Sequence, residues 1–361
     1  PITKFLPTYP TNGHVITIRN LLTHTSGIKN YTAMQEFQNI VGQEMTVDEM
    51  VDFFKNEPIN FVPGEKYSYS NSGYFLLGVI IEKISGITYE NFIQERIFTY
   101  LSLDNSYYGD FNRIINNRAT GYSQGEEGLI NSNYMSMSIP YAAGSLISNV
   151  DDMAKWNKAL FAGKVVSQDS LREMTSPFTL NNGEISNYGF GLGIRTFKGQ
   201  PMVSHGGGIF GFSTNGAYLP ESDIYVAILG NTDFQTRGYE SAKMLAIALG
   251  DPYRKIISQN VDDSILASYS GTYNIEESSI PTDISPGTSL VVTYTSDALS
   301  LSYAGAPSAE LISVSNSMFY MKNSFSHIEF IPLESGGFDL VFKLNESNGN
   351  KGQVAKLSTQ E

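Results

Sequence analysis

Three short segments of this chain hold side chains that could do chemistry: Tyr69-Ser70-Asn71, His205-Gly206-Gly207-Gly208 and Leu21-Leu22-Thr23-His24-Thr25-Ser26-Gly27. The first stands just ahead of an apolar run that reads as a buried helix. The second closes a run that reads as a strand. Taken singly, each has a plainer reading. A tyrosine two residues before an asparagine suits a turn and cap before a helix. His24 suits a hydrogen-bonded structural histidine, and the single tryptophan, Trp156, suits helix packing. A further candidate is Ser26-Gly27-Ile28-Lys29, the one internal match to a serine followed by lysine one helical turn later. In a helix that spacing sets both side chains on one face. Gly27 directly after Ser26 argues against a helix there, so Ser26 is read as a decoy and not as a nucleophile.

Composition removes other chemistries. With no cysteine there is no disulfide, no thiolate zinc site and no cysteine nucleophile. His14, His24, His205 and His327 are scattered, none with a partner at metal-ligand spacing, and neither a metal nor an organic cofactor is expected. A net charge of −13 argues against nucleic acid and anionic membranes as partners, because like charges oppose both encounters. The longest apolar run, residues 74–81, is far shorter than the about 20 residues a membrane span needs. The chain opens at Pro1 with neither an initiator methionine nor a signal-peptide pattern, so these residues carry no readable address.

At 361 residues the chain is long enough for one large and one smaller domain, and 41% hydrophobic residues can fill both cores. Thr46 with Glu49 forms a capping box ahead of Val47, Met50 and Phe54 at helical spacing. Residues 72–85 read as a buried helix stopped by Gly86, and a second follows from Thr88. Ser148 with Asp151 reads as another capping box, opening an amphipathic helix through Met153, Trp156 and Leu160 that ends at Gly163. Residues 188–195, 202–205, 211–219 and 224–230 read as consecutive antiparallel strands, closed by a helix over residues 239–249. Beyond Asp251, alternation marks strands at 289–295, 298–303, 318–322, 327–332 and 338–344, with turns at Ser296-Asp297 and Gly336-Gly337. The domains are therefore placed at 1–255 and 256–361, with the boundary between Asp251 and Ile265.

The order of the motifs is more specific than any one of them. Ile16-Thr17-Ile18-Arg19 before Leu21 to Gly27, then Pro63-Gly64 and Tyr69-Ser70-Asn71, resembles the family of class C β-lactamases, D-Ala-D-Ala carboxypeptidases and related esterases. Similar runs follow: Ala143-Gly144-Ser145-Leu146 before Asp151-Asp152-Met153-Ala154, then Tyr188-Gly189-Phe190-Gly191-Leu192-Gly193, and His205 to Gly208 before Gly211-Phe212. The likeness runs from Pro1 to about Gly250. From Tyr269-Ser270-Gly271-Thr272-Tyr273 onward the chain resembles the lipocalin-like β-barrel module often appended to this family.

The resemblance implies an α+β β-lactamase-like fold, with an antiparallel sheet flanked by helices, a helical subdomain, and a C-terminal all-β barrel-like domain. It implies a serine hydrolase that forms an acyl-enzyme on amides or esters, its substrate a peptidoglycan-type peptide, a β-lactam or an ester. In the family a serine and lysine in Ser-x-x-Lys supply the nucleophile and help remove its proton. By resemblance Tyr69 is the shared proton shuttle, and Asn71 orients the lysine and the substrate amide. His205 stands where many relatives have lysine, Gly207 gives the backbone room, and the Gly208 N–H joins the oxyanion hole. Relatives carry the Ser-x-x-Lys helix upstream of the segment that here reads Pro1 to Pro7. The nucleophile is therefore expected to precede Pro1, and this chain alone is expected to be inactive and to self-associate or lose stability. The alternative is a binding or vestigial protein that keeps the cleft without the nucleophile. A periplasmic or secreted location is implied as well. Because imidazole is mostly uncharged near neutral pH, His205 in place of lysine favours esters or peptides over carboxylate-bearing β-lactams.

Overall fold

The computed structural model describes residues 1–234, 237–253, 255–275, 288–295, 298–303, 308–343 and, for the backbone alone, 353–357. Local signals start and stop the helices. Thr17 and Asn20 cap α1 (Ile18–Leu22) reciprocally, as Thr46 and Glu49 do for α2 (Val47–Phe54). Each box satisfies two N–H groups that a helix start leaves without partners. The helix expected over 72–85 is α3 (Asn71–Ser85), stopped at Gly86 with φ 75°, a left-handed conformation that glycine adopts without a Cβ penalty. Phe75 of α3 packs between Tyr31, Phe54 and Tyr141, with ring centroids 6.2, 6.0 and 4.7 Å away. Gly78 lets residues 141–143 lie against the helix, since a Cβ there would fall 2.4 Å from that of Ala142. This is the centre of the helical subdomain.

The cap expected at Ser148 moves by one residue. Helix α4 (Val150–Phe161) is capped by Asn149, whose side chain accepts from the Asp152 N–H. Asparagine caps as well as serine, and the Ser148 hydroxyl is engaged with Ser106 at 2.9 Å. The four-stranded antiparallel sheet runs β4-β3-β2-β1, from β1 (Gly193–Phe197), β2 (Gln200–Ile209), β3 (Phe212–Leu219) and β4 (Ile224–Gly230). The strand expected from Tyr188 begins only at Gly193, because Gly191 at φ 72° turns the chain first. The strand expected over 202–205 continues through all three glycines, which pair with Asn215, Thr214 and Ser213 of β3. Helices flank this sheet: Phe161 of α4 packs against Tyr218 of β3, the rings tilted with centroids 4.3 Å apart. The last helix of this part is α5 (Gly238–Ala248), followed by Gly250 at φ 74°.

The chain divides into two compact units, Pro1–Arg195 with Pro201–Leu245, and Thr196–Gln200 with Ala246–Glu361. In the second, α6 (Asp263–Ser268) precedes eight strands: β5 (Gly271–Ile275), β6 (Ser289–Thr295), β7 (Ala298–Tyr303), β8 (Ala309–Ser313), β9 (Met318–Met321), β10 (His327–Pro332), β11 (Phe338–Lys343) and β12 (Gln353–Leu357). Each pairs antiparallel with the next, and β12 returns to β5 to close a barrel, which removes sheet edges. Alternation sends Tyr273, Leu290, Leu301, Phe319, Phe330 and Phe342 inward, each at most 1% exposed, so side chains fill the interior. Tyr269, just after α6, lies flat on Phe330 at 3.9 Å. Gly336 and Gly337, at φ 88° and 83°, make the turn between β10 and β11. The turn expected at Ser296-Asp297 and the strand end expected at Leu344 lie outside the described residues. Among the described residues no helix is long and apolar enough to cross a membrane.

Between α5 and α6 the described residues form neither helix nor strand. Asp251 is tied by Lys198 Nζ at 2.6 Å and Tyr253 stacks on Phe325 at 3.7 Å, whereas Lys255, Ile257, Ser258 and Asn260 are exposed. We propose the domain boundary between residues 251 and 265. Limited proteolysis should cut first within residues 255–260 and release two fragments that each stay folded. Earlier cleavage elsewhere, or fragments that unfold together, would place the boundary elsewhere.

Candidate active site

The loop after α1 is a cradle built from buried polar groups. Thr25 Oγ1 accepts from Asn20 Nδ2 at 3.1 Å and pairs with Thr23 Oγ1 at 2.9 Å. Gly27, at φ 73°, comes so close to the Phe61 carbonyl that a Cβ would overlap it. Three carbonyls of this loop hold the segment leading to Tyr69: Gly27 accepts from the Asn60 N–H, Thr25 from Gly64 and His24 from Ser68, at 2.7, 2.8 and 2.9 Å. His24 itself has φ 54° and is 2% exposed. Its Nδ1 accepts the Ser70 N–H at 3.0 Å, so the neutral ring carries its proton on Nε2.

That anchor delivers Tyr69 and Asn71 to the start of α3. The Asn71 N–H donates to Asn30 Oδ1 at 3.1 Å and its Nδ2 to Thr32 Oγ1 at 3.2 Å. Tyr69 is 42% exposed and lies over His24 with centroids 4.1 Å apart. On its other side stands His205 of β2, at 6.2 Å between ring centroids. Tyr74 and Tyr188 complete the ring around His24, both at 4.9 Å. Burial raises the phenol of Tyr69 above its ordinary value and lowers His205 below its own. Beside His205, Gly206, Gly207 and Gly208 are exposed. A Cβ on Gly207 would meet the Thr214 hydroxyl at 2.4 Å, but one on Gly208 would meet nothing within 4 Å.

The structure thus brings Tyr69, Asn71, His205 and the three glycines to one place, from chain positions more than a hundred residues apart. It does not bring Ser26 and Lys29 there. Ser26 is 2% exposed, lies outside any helix, and accepts from the Ile28 N–H at 3.3 Å. Lys29 Nζ is paired with Glu57 at 2.7 Å. A cleft of about 520 Å³ elsewhere includes Arg19, Thr23, Glu173 and Phe190 in its lining but none of the candidate residues. Its charges answer one another, with Arg19 on Glu173 at 2.7 Å and Arg172 on Asp169. Sequence reasoning did not find the parts played by Tyr74 and Tyr188. Tyr188 opens a run that carries the family likeness and Tyr74 opens the apolar run of α3, but neither position was given a role.

The family model described as beta-lactamase matches residues 1–250. Penicillin-binding protein 4* of Bacillus subtilis (strain 168) is 31% identical over 359 residues, covering 91% of this chain and 76% of that protein. A D-aminopeptidase of Gluconobacter oxydans is 24% identical over 268 residues, 73% of this chain and 47% of its own length, so the chain spans about half of that relative. The octameric penicillin-binding protein homologue from Pyrococcus abyssi superposes with a TM-score of 0.63 at 25% identity, over 99% of this chain and 82% of that one.

Burial, and then the charge of nearby His205, lower His24 from 6.5 to about 4. The unfolded chain takes up this proton near pH 6.5 and the folded chain only near pH 4, so between those values the unfolded state binds more protons. Stability is full above pH 6.5 and falls as the pH drops toward 4, by about 3 kcal/mol for this group. Urea unfolding from pH 7 to 4 should show that fall, and His24→Asn, which tolerates positive φ and keeps an acceptor, should flatten it. An equally steep fall in His24→Asn would show that His24 does not titrate with folding.

Proposed function

This chain belongs to the β-lactamase family, and we propose that it serves there as a serine hydrolase acting on amide or ester bonds through an acyl-enzyme. The observation that carries the reading is that Tyr69 and His205 stand 6.2 Å apart between ring centroids, beside an exposed run of glycines. Gly208 is the most telling of them. Neither a positive φ nor a neighbour requires glycine there, whereas a ligand carbonyl approaching the strand would. We assign the Gly208 N–H to the oxyanion of the tetrahedral intermediate, Gly207 to clearance for the substrate backbone, and Asn71 to the substrate amide. Tyr69 is assigned to proton transfer. With its phenol raised by burial it is a proton donor as it stands. Working as a base needs a cation beside it, the part a Ser-x-x-Lys lysine would play. The likeness to a D-aminopeptidase supports amides as substrates.

The buried Ser26 and the engaged Lys29 favour a second element of the proposal, that no serine within residues 1–361 is the nucleophile. Without it the chain would be a binding protein with the cleft intact. Self-association belongs to the same reading, and the similar Pyrococcus protein is described as octameric. So does kinship of the C-terminal barrel with lipocalins, whose eight-stranded up-and-down architecture it shares.

The 361-residue chain should take up no fluorescent penicillin. A polypeptide that adds a Ser-x-x-Lys segment ahead of Pro1 should take it up, and Tyr69→Phe should slow its ester turnover about 10²–10⁴-fold with KM little changed. Gly208→Ala should leave the unfolding midpoint unaltered and slow acylation. Labelling of the 361-residue chain that Ser26→Ala abolishes would make Ser26 the nucleophile, and unchanged turnover in Tyr69→Phe would confine the likeness to the fold.

A further inference from the structure

His205 is held by two hydrogen bonds whose directions can be worked out. Its Nδ1 lies 2.6 Å from the Gly206 carbonyl oxygen. A carbonyl only accepts, so Nδ1 carries a proton. Its Nε2 lies 2.9 Å from the Tyr188 hydroxyl. In a neutral ring with Nδ1 protonated, Nε2 is an acceptor, and the Tyr188 O–H must donate to it. Tyr74 donates its own proton to the Leu22 carbonyl at 2.9 Å, so toward Tyr188 its oxygen can only accept and it competes with Nε2 for the Tyr188 proton; the Nδ1–H directed at the Gly206 carbonyl decides for Nε2 in the neutral ring. Tyr188 is 7% exposed, and its backbone is fixed by its N–H on Ser186 at 2.7 Å and its carbonyl under the Phe178 N–H at 3.1 Å. The hydroxyl is therefore aimed by a rigid turn.

We propose that Tyr188 is a specificity-determining positioning residue: by donating to His205 Nε2 it holds the imidazole as the neutral Nδ1–H tautomer. The surface beside His205 then takes from its imidazole neither a positive charge nor a free ring N–H. A substrate with a carboxylate beside the scissile bond finds no counter-charge at this position, while a neutral amide or ester loses nothing. The selected substrates are amides and esters without that carboxylate. The groups facing His205 are Tyr188 at 6.0 Å and Tyr69 at 6.2 Å between ring centroids, with His24 beyond them. Burial acts in the same direction as Tyr188 and lowers His205. The substrate part of this inference rests on the function proposed above; the tautomer does not.

Imidazole nitrogen NMR of the full chain, with His205 assigned by its loss in His205→Gln, reads the tautomer and the titration midpoint directly. The expected result is the Nδ1–H tautomer in the unsubstituted chain, and a midpoint raised by about 0.5–1 pH unit in Tyr188→Phe, which removes only the hydroxyl. N-acetyl-D-alanyl-D-alanine and its C-terminal amide then differ only in charge. At pH 7 Tyr188→Phe should raise the affinity ratio of acid to amide by roughly 3- to 10-fold, following the imidazolium fraction. An Nε2–H tautomer in the unsubstituted chain overturns the proposal even if the variant does not fold, and so does an unmoved midpoint. The expected tautomer and midpoint with an unmoved affinity ratio leave the Tyr188–His205 pair standing and overturn the specificity it is assigned, together with the placing of substrate against His205.

Discussion

A neutral imidazole accepting one backbone N–H lies under the whole candidate site. His24 Nδ1 takes the Ser70 N–H at 3.0 Å, while the His24 carbonyl takes that of Ser68 at 2.9 Å, so one residue fixes the chain on both sides of Tyr69. Reaching that position has two costs. The backbone of His24 sits at φ 54°, a region that costs a non-glycine residue about 1–2 kcal/mol. The buried Nε2–H has no partner among the described residues, and an unmet buried donor costs about 1–3 kcal/mol. Both are sustained by the surrounding loop, whose Thr25 and Gly27 carbonyls bind residues 60–64 and whose Gly27 leaves no room for a side chain. The motif Leu21 to Gly27 is thus a clamp for the Tyr-x-Asn segment.

From that clamp the geometry of the rest follows. Tyr69 is delivered to the mouth of α3 and Asn71 is tied back to Asn30 and Thr32. The sheet brings His205 up from β2, whose glycines stay in the ladder because Asn215, Thr214 and Ser213 pair with them. Carbonyls at Leu22 and Gly206 then set the proton directions through Tyr74, Tyr188 and His205. A charged group at position 205 would change this arrangement, since an imidazolium would need Tyr188 to accept at Nε2 and to turn its own proton to the Tyr74 oxygen. Electrostatic neutrality of the wall is therefore a property of the network and not of His205 alone.

Much of the fold was legible because its signals are local. The capping box at Thr46, the stop at Gly86 and the alternation of β6, β7 and β10 each depend on residues a few positions apart, and the structure has them where the sequence put them. The misplacements are local competitions: Asn149 displaced Ser148 as a cap, and Gly191 delayed the strand expected from Tyr188. Strands β5 and β8 lack a clean alternation to mark them, since β5 opens on Gly271 and β8 sets Leu311 beside Ile312. The site was legible only through the order of its motifs. What could not be read was the role of His24 as clamp and of Tyr188 as donor. Their partnerships span 46 and 17 residues and exist only after a left-handed loop and a turn have formed.

On the function proposed above, Tyr69, Asn71 and the strand from His205 to Gly208 form one surface that receives a neutral acyl group. Backbone amide mapping of the full chain during titration with N-acetyl-D-phenylalanine amide tests it most directly. The amides of Gly206, Gly207 and Gly208 should shift together with those of Tyr69 and Asn71, with a common saturation curve. Shifts confined to the cleft around Arg19, Glu173 and Phe190, or saturation that leaves the glycine amides unmoved, would contradict it.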